Sequence, residues 1–395
     1  MNLVNNIYIS ISILLSVSLI FILVQFGLSV FLSAIILVFF SLFLHNLNFF
    51  TKINTKKLIL FSILLSLLLI SIVSNIFDKY SPNMHLILTF FYISTAYWLF
   101  YQKIVILKNV SLVLLLIYYI WFLFNGLEIG FLPQHVNVYF DGYSRNMVSS
   151  IAIIFQIFYS LSMYRYKGVL PKLTPILTFV LSVTAYGRTG IALSFIIIFY
   201  SLFKDFKIQA KYYKLTIITI TVLLSILFMQ NIDLILEYIN ISTNFGAGLS
   251  SPRSIFINDY VNTLNFGTII VGSDLSLIPS ISMFENNPHN TYLLGHAAFG
   301  IIYIIVMLSV LLYSLYIILF YNNTLTYFLF LTIYMTKFAT DTGGLFGPSD
   351  ILFYYMLFCL HKSKENGYRN YVYVILEKSK GRGSKNEDFS YNCSI

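Results

Sequence analysis

Charge is scarce in this sequence: 10% of its 395 residues are Asp, Glu, Lys or Arg, while 58% are hydrophobic. That balance excludes an ordinary water-soluble domain, which must cover its core with polar surface. A bilayer supplies the apolar surroundings such a chain needs. The apolar runs are long and do not alternate, which excludes the two-residue period of an outer-membrane barrel. The expected fold class is therefore an all-α polytopic integral membrane protein. Cysteine is nearly absent as well. Cys359 lies in the last apolar run and Cys393 in the polar tail, so neither a disulfide framework nor a thiolate metal site is available. No Asp-x-Asp pair occurs, which speaks against a divalent-metal sugar-nucleotide site, and no metal or other cofactor is expected. The first apolar run, Ile7 to Val24, has no basic n-region and no small-residue cleavage site, so it reads as a retained span.

What is present is apolar sequence cut by short basic connectors. Spans are expected at 7–24, 27–44, 58–77, 84–101, 108–127, 147–164, 171–186, 189–203, 215–230, 298–320, 325–338 and 350–361, measured against the roughly 20 residues a helix needs to cross. With the N-terminus in the cytoplasm, Lys and Arg fall mostly on the inner side. The inner connectors hold Lys52, Lys56, Lys57, Lys103, Lys108, Arg165, Lys167, Lys172, Lys204, Lys207, Lys211 and Lys214. The tail adds Lys362, Lys364, Arg369, Lys378, Lys380, Arg382 and Lys385. About twelve spans with both termini cytoplasmic satisfy this pattern, so the net charge of +9 reflects topology and implies no nucleic-acid partner. Residues 1–361 then form one transmembrane domain that includes an extracytoplasmic loop at 231–290, before the tenth span. Residues 362–395 form a basic cytoplasmic tail beside anionic lipid.

Positive charge is disfavoured on the outer side, which makes the few basic residues there informative. Lys337 sits near the outer end of a span, and Lys79, Arg145, Arg188 and Arg253 lie in outer segments. Arg145 opens the sixth span, Arg188 sits in the break Tyr186-Gly187-Arg188-Thr189-Gly190, and Arg253 follows Ser251-Pro252 in the loop. Each arginine either pairs with a carboxylate or lipid headgroup, or offers its rigid donor fork to phosphate oxygens. After Pro252, the residues Ile255, Phe256, Tyr260, Val261 and Leu264 form an apolar stripe at helical spacing. The stripe fits a short helix lying on the membrane surface, or ordinary packing.

The loop closes on Asn287-Pro288-His289-Asn290, with Pro288 expected at the first helical position. His289 would then lie in the first helical turn, where the helix dipole lowers its pKa and keeps it neutral, as a general base must be. The apolar pattern runs on to Phe320, too long for one perpendicular span, and Gly295 and Gly300 offer bends. His296 lies two turns beyond His289, but no third ligand stands at a metal-site spacing. The segment from Asp341 to Asp350 carries three glycines and a proline, the composition of a tight outer turn, in which Asp341 alternatively contacts substrate.

Together these residues resemble the bacterial O-antigen polymerase and O-antigen ligase superfamily. The likeness covers the whole hydropathy layout. Gly187-Arg188-Thr189-Gly190 is similar to the Arg-Ser/Thr-Gly that opens a span in that family, and Arg253 takes the place of its loop arginine. Pro288-His289-Asn290, followed by Gly300, is similar to the His-Asn motif that closes the loop. Tyr303 stands where many members have a second glycine, and the arginine–glycine spacing of some polymerase loops is absent around Arg145, Arg188 and Arg253.

The resemblance implies a fold like the polytopic (GT-C-like) membrane glycosyltransferases in a bacterial inner membrane, with the site facing away from the cytoplasm. It implies polymerisation of undecaprenyl-pyrophosphate-linked repeat units of an O-antigen or capsular polysaccharide. The partners implied are lipid-linked donor and acceptor glycans, membrane lipid, a chain-length regulator and a flippase. His289 would be the base, Arg188, Arg253 and Arg145 would hold the pyrophosphate, and Asn290, Glu285 and Asp341 would support them. The alternatives are a ligase that passes glycan to lipid A-core, or a lipid-linked oligosaccharide flippase. A flippase would show related halves and a polar central path. In this chain the polar residues gather in one asymmetric loop.

Overall fold

Without polar side chains to compete for them, backbone N–H and C=O groups in apolar runs are best satisfied within helices. The computed structural model describes residues 2–45, 82–140, 144–204, 252–284, 286–321, 324–341 and 347–363, and among them every regular element is helical. The expected segments at 58–77 and 215–230, the loop residues 231–251 and nearly all of the tail lie outside the described residues.

Helix α1 (Asn2–Phe26) is followed by α2 (Leu28–His45), with only Gly27 between them. Next come α3 (Pro82–Phe100), α4 (Ile104–Ile129), a single turn α5 (Pro133–Val136) and α6 (Arg145–Lys167). The chain continues through α7 (Leu173–Thr184) and α8 (Arg188–Phe203). The loop carries α9 (Pro252–Thr263), α10 (Phe266–Val271), a 3-10 turn (Leu275–Leu277) and α11 (Pro279–Ser282). The C-terminal part is α12 (Thr291–Phe299), α13 (Ile301–Phe320), α14 (Leu325–Ala339) and a last helix α15 at 350–363. Among the described residues, four stretches are long and apolar enough to cross a membrane: Asn6–Phe26, Ile104–Ile129, Arg145–Lys167 and Ile301–Phe320. The chain is thus a helical membrane protein.

Helix α6 is the axis of the bundle. Every residue from Met147 to Ser162 is buried, and the helix packs against α4, α7, α8 and α14. Its neighbours supply partners for polar atoms that hydrocarbon could not satisfy. The Tyr118 hydroxyl donates to the Val148 carbonyl at 2.7 Å, and the Tyr119 hydroxyl donates to the Thr174 carbonyl at 2.9 Å. Gln156 Nε2 donates to Ser160 Oγ at 2.7 Å. The outward residues of α4 and α13, including Ile120, Phe124, Ile305 and Leu312, are exposed and apolar, as a lipid-facing surface requires.

From Pro252 onward the loop is a folded module with its own core, built from Phe256, Tyr260, Leu275, Ile278, Ile281, Leu293 and Ala297. This corrects the expected single stripe on α9. Phe256 and Tyr260, four residues apart, are buried and Leu264 packs on them, while Ile255 and Val261 point outward. The long apolar run after Pro288 breaks only at Gly300, where φ is +60°. A Cβ there would strike the Ile270 carbonyl of α10. Gly295 is no bend. It lies inside α12, with the Tyr303 ring in the space a side chain would need.

Candidate functional site

The start of α8 is set against the start of α6. A Cβ at Gly187 would lie 3.0 Å from Asn146 Oδ1, and one at Gly190 would collide with Ser149. The missing side chain at Gly190 in particular allows this approach, which brings the N-terminal turns bearing Arg145 and Arg188 side by side. Tyr186 bridges them. Its backbone is in the left-handed region (φ 56°), and the Arg145 guanidinium lies over its ring at 5.9 Å. The non-glycine residues in that region among those described are Tyr186, Asn286 and His289 (φ 47°). Backbone strain of this kind is retained where the surrounding structure enforces it, and here it flanks the sequence-predicted residues.

Asp341 ties the C-terminal helices to this end. Its Oδ2 accepts from the Ser150 hydroxyl of α6 at 3.2 Å and lies 3.6 Å from Lys337 Nζ, one helical turn earlier. Its backbone carbonyl accepts from Thr291 N at 3.1 Å and Thr291 Oγ1 at 2.9 Å. The first residue of α12 is thereby fixed to the end of α14. Lys337 and Asp341 are both buried. Arg253, at the start of α9, is half-buried and within electrostatic reach of both Asp341 and Arg188. Its pKa is lowered by burial, with Asp341 opposing and Arg188 adding to the shift, yet an arginine remains charged.

His289 completes the group. Burial lowers its pKa below 6.5, Asp341 offsets part of that shift, and Arg253 adds to it. The ring is half-buried and stacks on Phe256 at 6.5 Å, with Phe284 edge-on at 6.2 Å. The histidine is thus neutral at pH 7, as expected, but by a different cause. Helix α12 begins at Thr291 with Asn290 as its N-cap, so His289 precedes the cap and is not in the first turn, and Pro288 is outside the helix. Desolvation and a cationic neighbour replace the helix dipole.

The supporting residues also change. Asn290 Oδ1 accepts from Tyr292 N at 2.9 Å and Leu293 N at 3.2 Å, so its carboxamide oxygen is committed to capping. Asn287 instead steadies the histidine's backbone, accepting from His289 N at 2.9 Å. Glu285 lies outside the described residues. His296 belongs to the loop core rather than to a histidine pair. Its Nε2 donates to the Ile269 carbonyl at 3.2 Å, which fixes the proton on that nitrogen, and Nδ1 accepts from the Tyr260 hydroxyl at 2.7 Å.

The structure therefore brings Arg188, Arg253, Asp341 and His289 into one electrostatic group and sets Arg145 at its edge over Tyr186. It adds Lys337, Asn287 and Ser150, which the sequence reading did not select. Lys337 carried the clearest signal, a lysine inside an apolar run four residues before an aspartate. Chemically the group offers a neutral imidazole next to guanidinium and ammonium groups in partly dry surroundings. It can accept a proton from a hydroxyl and hold an anion that gains charge. No protein-family model, no curated protein and no solved structure matches the chain.

Proposed function

We propose that the chain is a glycosyltransferase that polymerises undecaprenyl-pyrophosphate-linked oligosaccharide repeat units at the outer face of a bacterial inner membrane. The observation that carries this reading is one cluster in which His289, Arg253 and Lys337 lie within electrostatic reach of the Asp341 carboxylate, with Arg188 beside Arg253. The acceptor hydroxyl oxygen attacks the donor's anomeric carbon as its proton passes to His289. The bond from that carbon to the pyrophosphate oxygen breaks, and its electron pair leaves with undecaprenyl pyrophosphate. Arg188 and Arg253 offset the charge that builds on the leaving group. Arg145, at the rim, assists in seating it. Asp341 holds Lys337 and balances the cations, while Asn290 acts through the fold of α12.

The test uses the purified protein in nanodiscs with a lipid-linked repeat unit, read as a product ladder on a gel. Wild type is expected to build the ladder and release undecaprenyl pyrophosphate. His289→Ala is expected to give none while remaining folded. A normal ladder from His289→Ala would remove the histidine from the mechanism. Deletion of the gene in its host separates the alternatives. Loss of the ladder with single-repeat caps retained means polymerase. Loss of all capping with long lipid-linked polymer means ligase. Lipid-linked units trapped on the cytoplasmic side mean a flippase.

A further inference from the structure

Helix α10 is a six-residue helix in the loop module, yet its outward surface is apolar: Phe266 is 82% exposed, and Ile269 and Ile270 are exposed beside it. It is fixed to the top of α13. The Ile270 carbonyl occupies the space a side chain at Gly300 would need, and Ser273 N donates to the Ala297 carbonyl at 3.2 Å. Helix α10 packs against α13, whose exposed residues below Gly300 include Ile304, Ile305 and Leu308.

The ends of α10 are also capped, so few of its backbone groups are left open at the face it presents. At the N-terminus, Asn265 and Thr268 form a reciprocal capping box: Thr268 N donates to Asn265 Oδ1 at 3.0 Å, and Asn265 N donates to Thr268 Oγ1 at 2.8 Å. At the C-terminus, Gly272 N donates to the Thr268 carbonyl at 2.9 Å, and the Ile269 carbonyl receives the His296 Nε2 proton at 3.2 Å. Backbone groups entering hydrocarbon must be satisfied internally, whereas those in water need not be. An apolar face, capped ends and packing against a lipid-facing span occur together in α10.

We propose that Phe266, Ile269 and Ile270 are inserted into the acyl-chain boundary of the bilayer, so that α10 anchors the loop module to the membrane. The occupant of this face is lipid hydrocarbon, with Asn265 and Thr268 at the headgroup boundary. This inference does not depend on the glycosyl-transfer reading. It assigns the membrane contact of the loop to α10 rather than to the stripe on α9.

The test places one nitroxide label at a time through Phe266→Cys, Ile270→Cys or Asn262→Cys in a Cys393→Ser background. Cys359 is buried, and the unsubstituted background measures any labelling there. In phosphatidylethanolamine/phosphatidylglycerol nanodiscs, labels at 266 and 270 are expected to collide with oxygen several-fold more than with a water-soluble nickel chelate. The exposed Asn262 position is expected to show the reverse. Nickel access at 266 and 270 equal to that at 262 would overturn the proposal. So would low access to both reagents, which means another part of the chain covers this face. Phe266→Trp gives a second reading that leaves Ile270 intact. Quenching of the added tryptophan by bromine-labelled lipid supports insertion, and unchanged emission refutes it.

Discussion

Helix α6 carries an arginine at each end, and the two ends solve the problem of a cation near a membrane differently. Twenty residues separate Arg145 from Arg165, about 30 Å along the helix. At the Arg165 end the guanidinium is held by fixed groups of the fold. It donates to the Tyr355 hydroxyl at 2.8 Å and to the Phe100 carbonyl at 3.1 Å, and lies over both rings. At the Arg145 end, Arg253 and Lys337 face Asp341, with Arg188 beside Arg253 and His289 within reach of both Asp341 and Arg253. One end is a closed lock of matched donors and acceptors. The other concentrates positive charge, which an incoming anion would balance. An arginine near a helix end therefore has no single meaning; its partners decide whether it serves the fold or a ligand.

The largest effect that would break this contrast comes from Asp341→Asn, which removes the carboxylate that faces Lys337 and Arg253. Removing one partner of a buried pair is expected to cost about 3–5 kcal/mol, read as a lower thermal unfolding midpoint in nanodiscs. Adding Lys337→Met is expected to recover part of that loss. If Asp341→Asn unfolds like wild type, the charge group is not held as described. Arg253→Gln should act on the proposed chemistry instead, lowering the rate of that polymerisation by about 100-fold or more with little change in unfolding. The mirror experiment is Arg165→Met, expected to cost about 2–3 kcal/mol of stability through its lost charge-assisted hydrogen bonds. Full stability there would refute the structural reading of that end.

The smallest effect is the sharpest. His289 has a lowered pKa, so its neutral form persists below pH 6.5 and activity is expected to fall on the acid side, as pH drops through that lowered value. Proton NMR of His289 checks this without turnover. Arg253→Gln removes a cation that helps lower the pKa, so the midpoint should move toward higher pH by less than about one unit. A downward move would contradict the arrangement.

Much of this could be read in the sequence because membrane helices announce their ends. Gly187 and Pro252 mark helix starts; of the residues just after them, Arg253 lies within electrostatic reach of His289, and Arg188 within reach of Arg253. Other features were hidden. Whether Pro288 or Asn290 opens α12 depends on a cap hydrogen bond, not on composition. The split stripe on α9 shows that apolar residues of one helix can face outward as well as inward, so periodicity alone does not identify the buried side. Lys337 reads in the sequence as a span-end lysine, and its pairing with Asp341 across one helical turn emerges only in the fold.

The contact between Gly295 and Tyr303 reaches beyond this one chain. A large ring from α13 fills the space over a residue of α12 that has no side chain. Bulk at these two positions is therefore a shared quantity. A homologue with glycine at 303 has room for a side chain at 295, and one with tyrosine at 303 does not. The pair should covary by exchange of volume across sequences, independently of any change at His289.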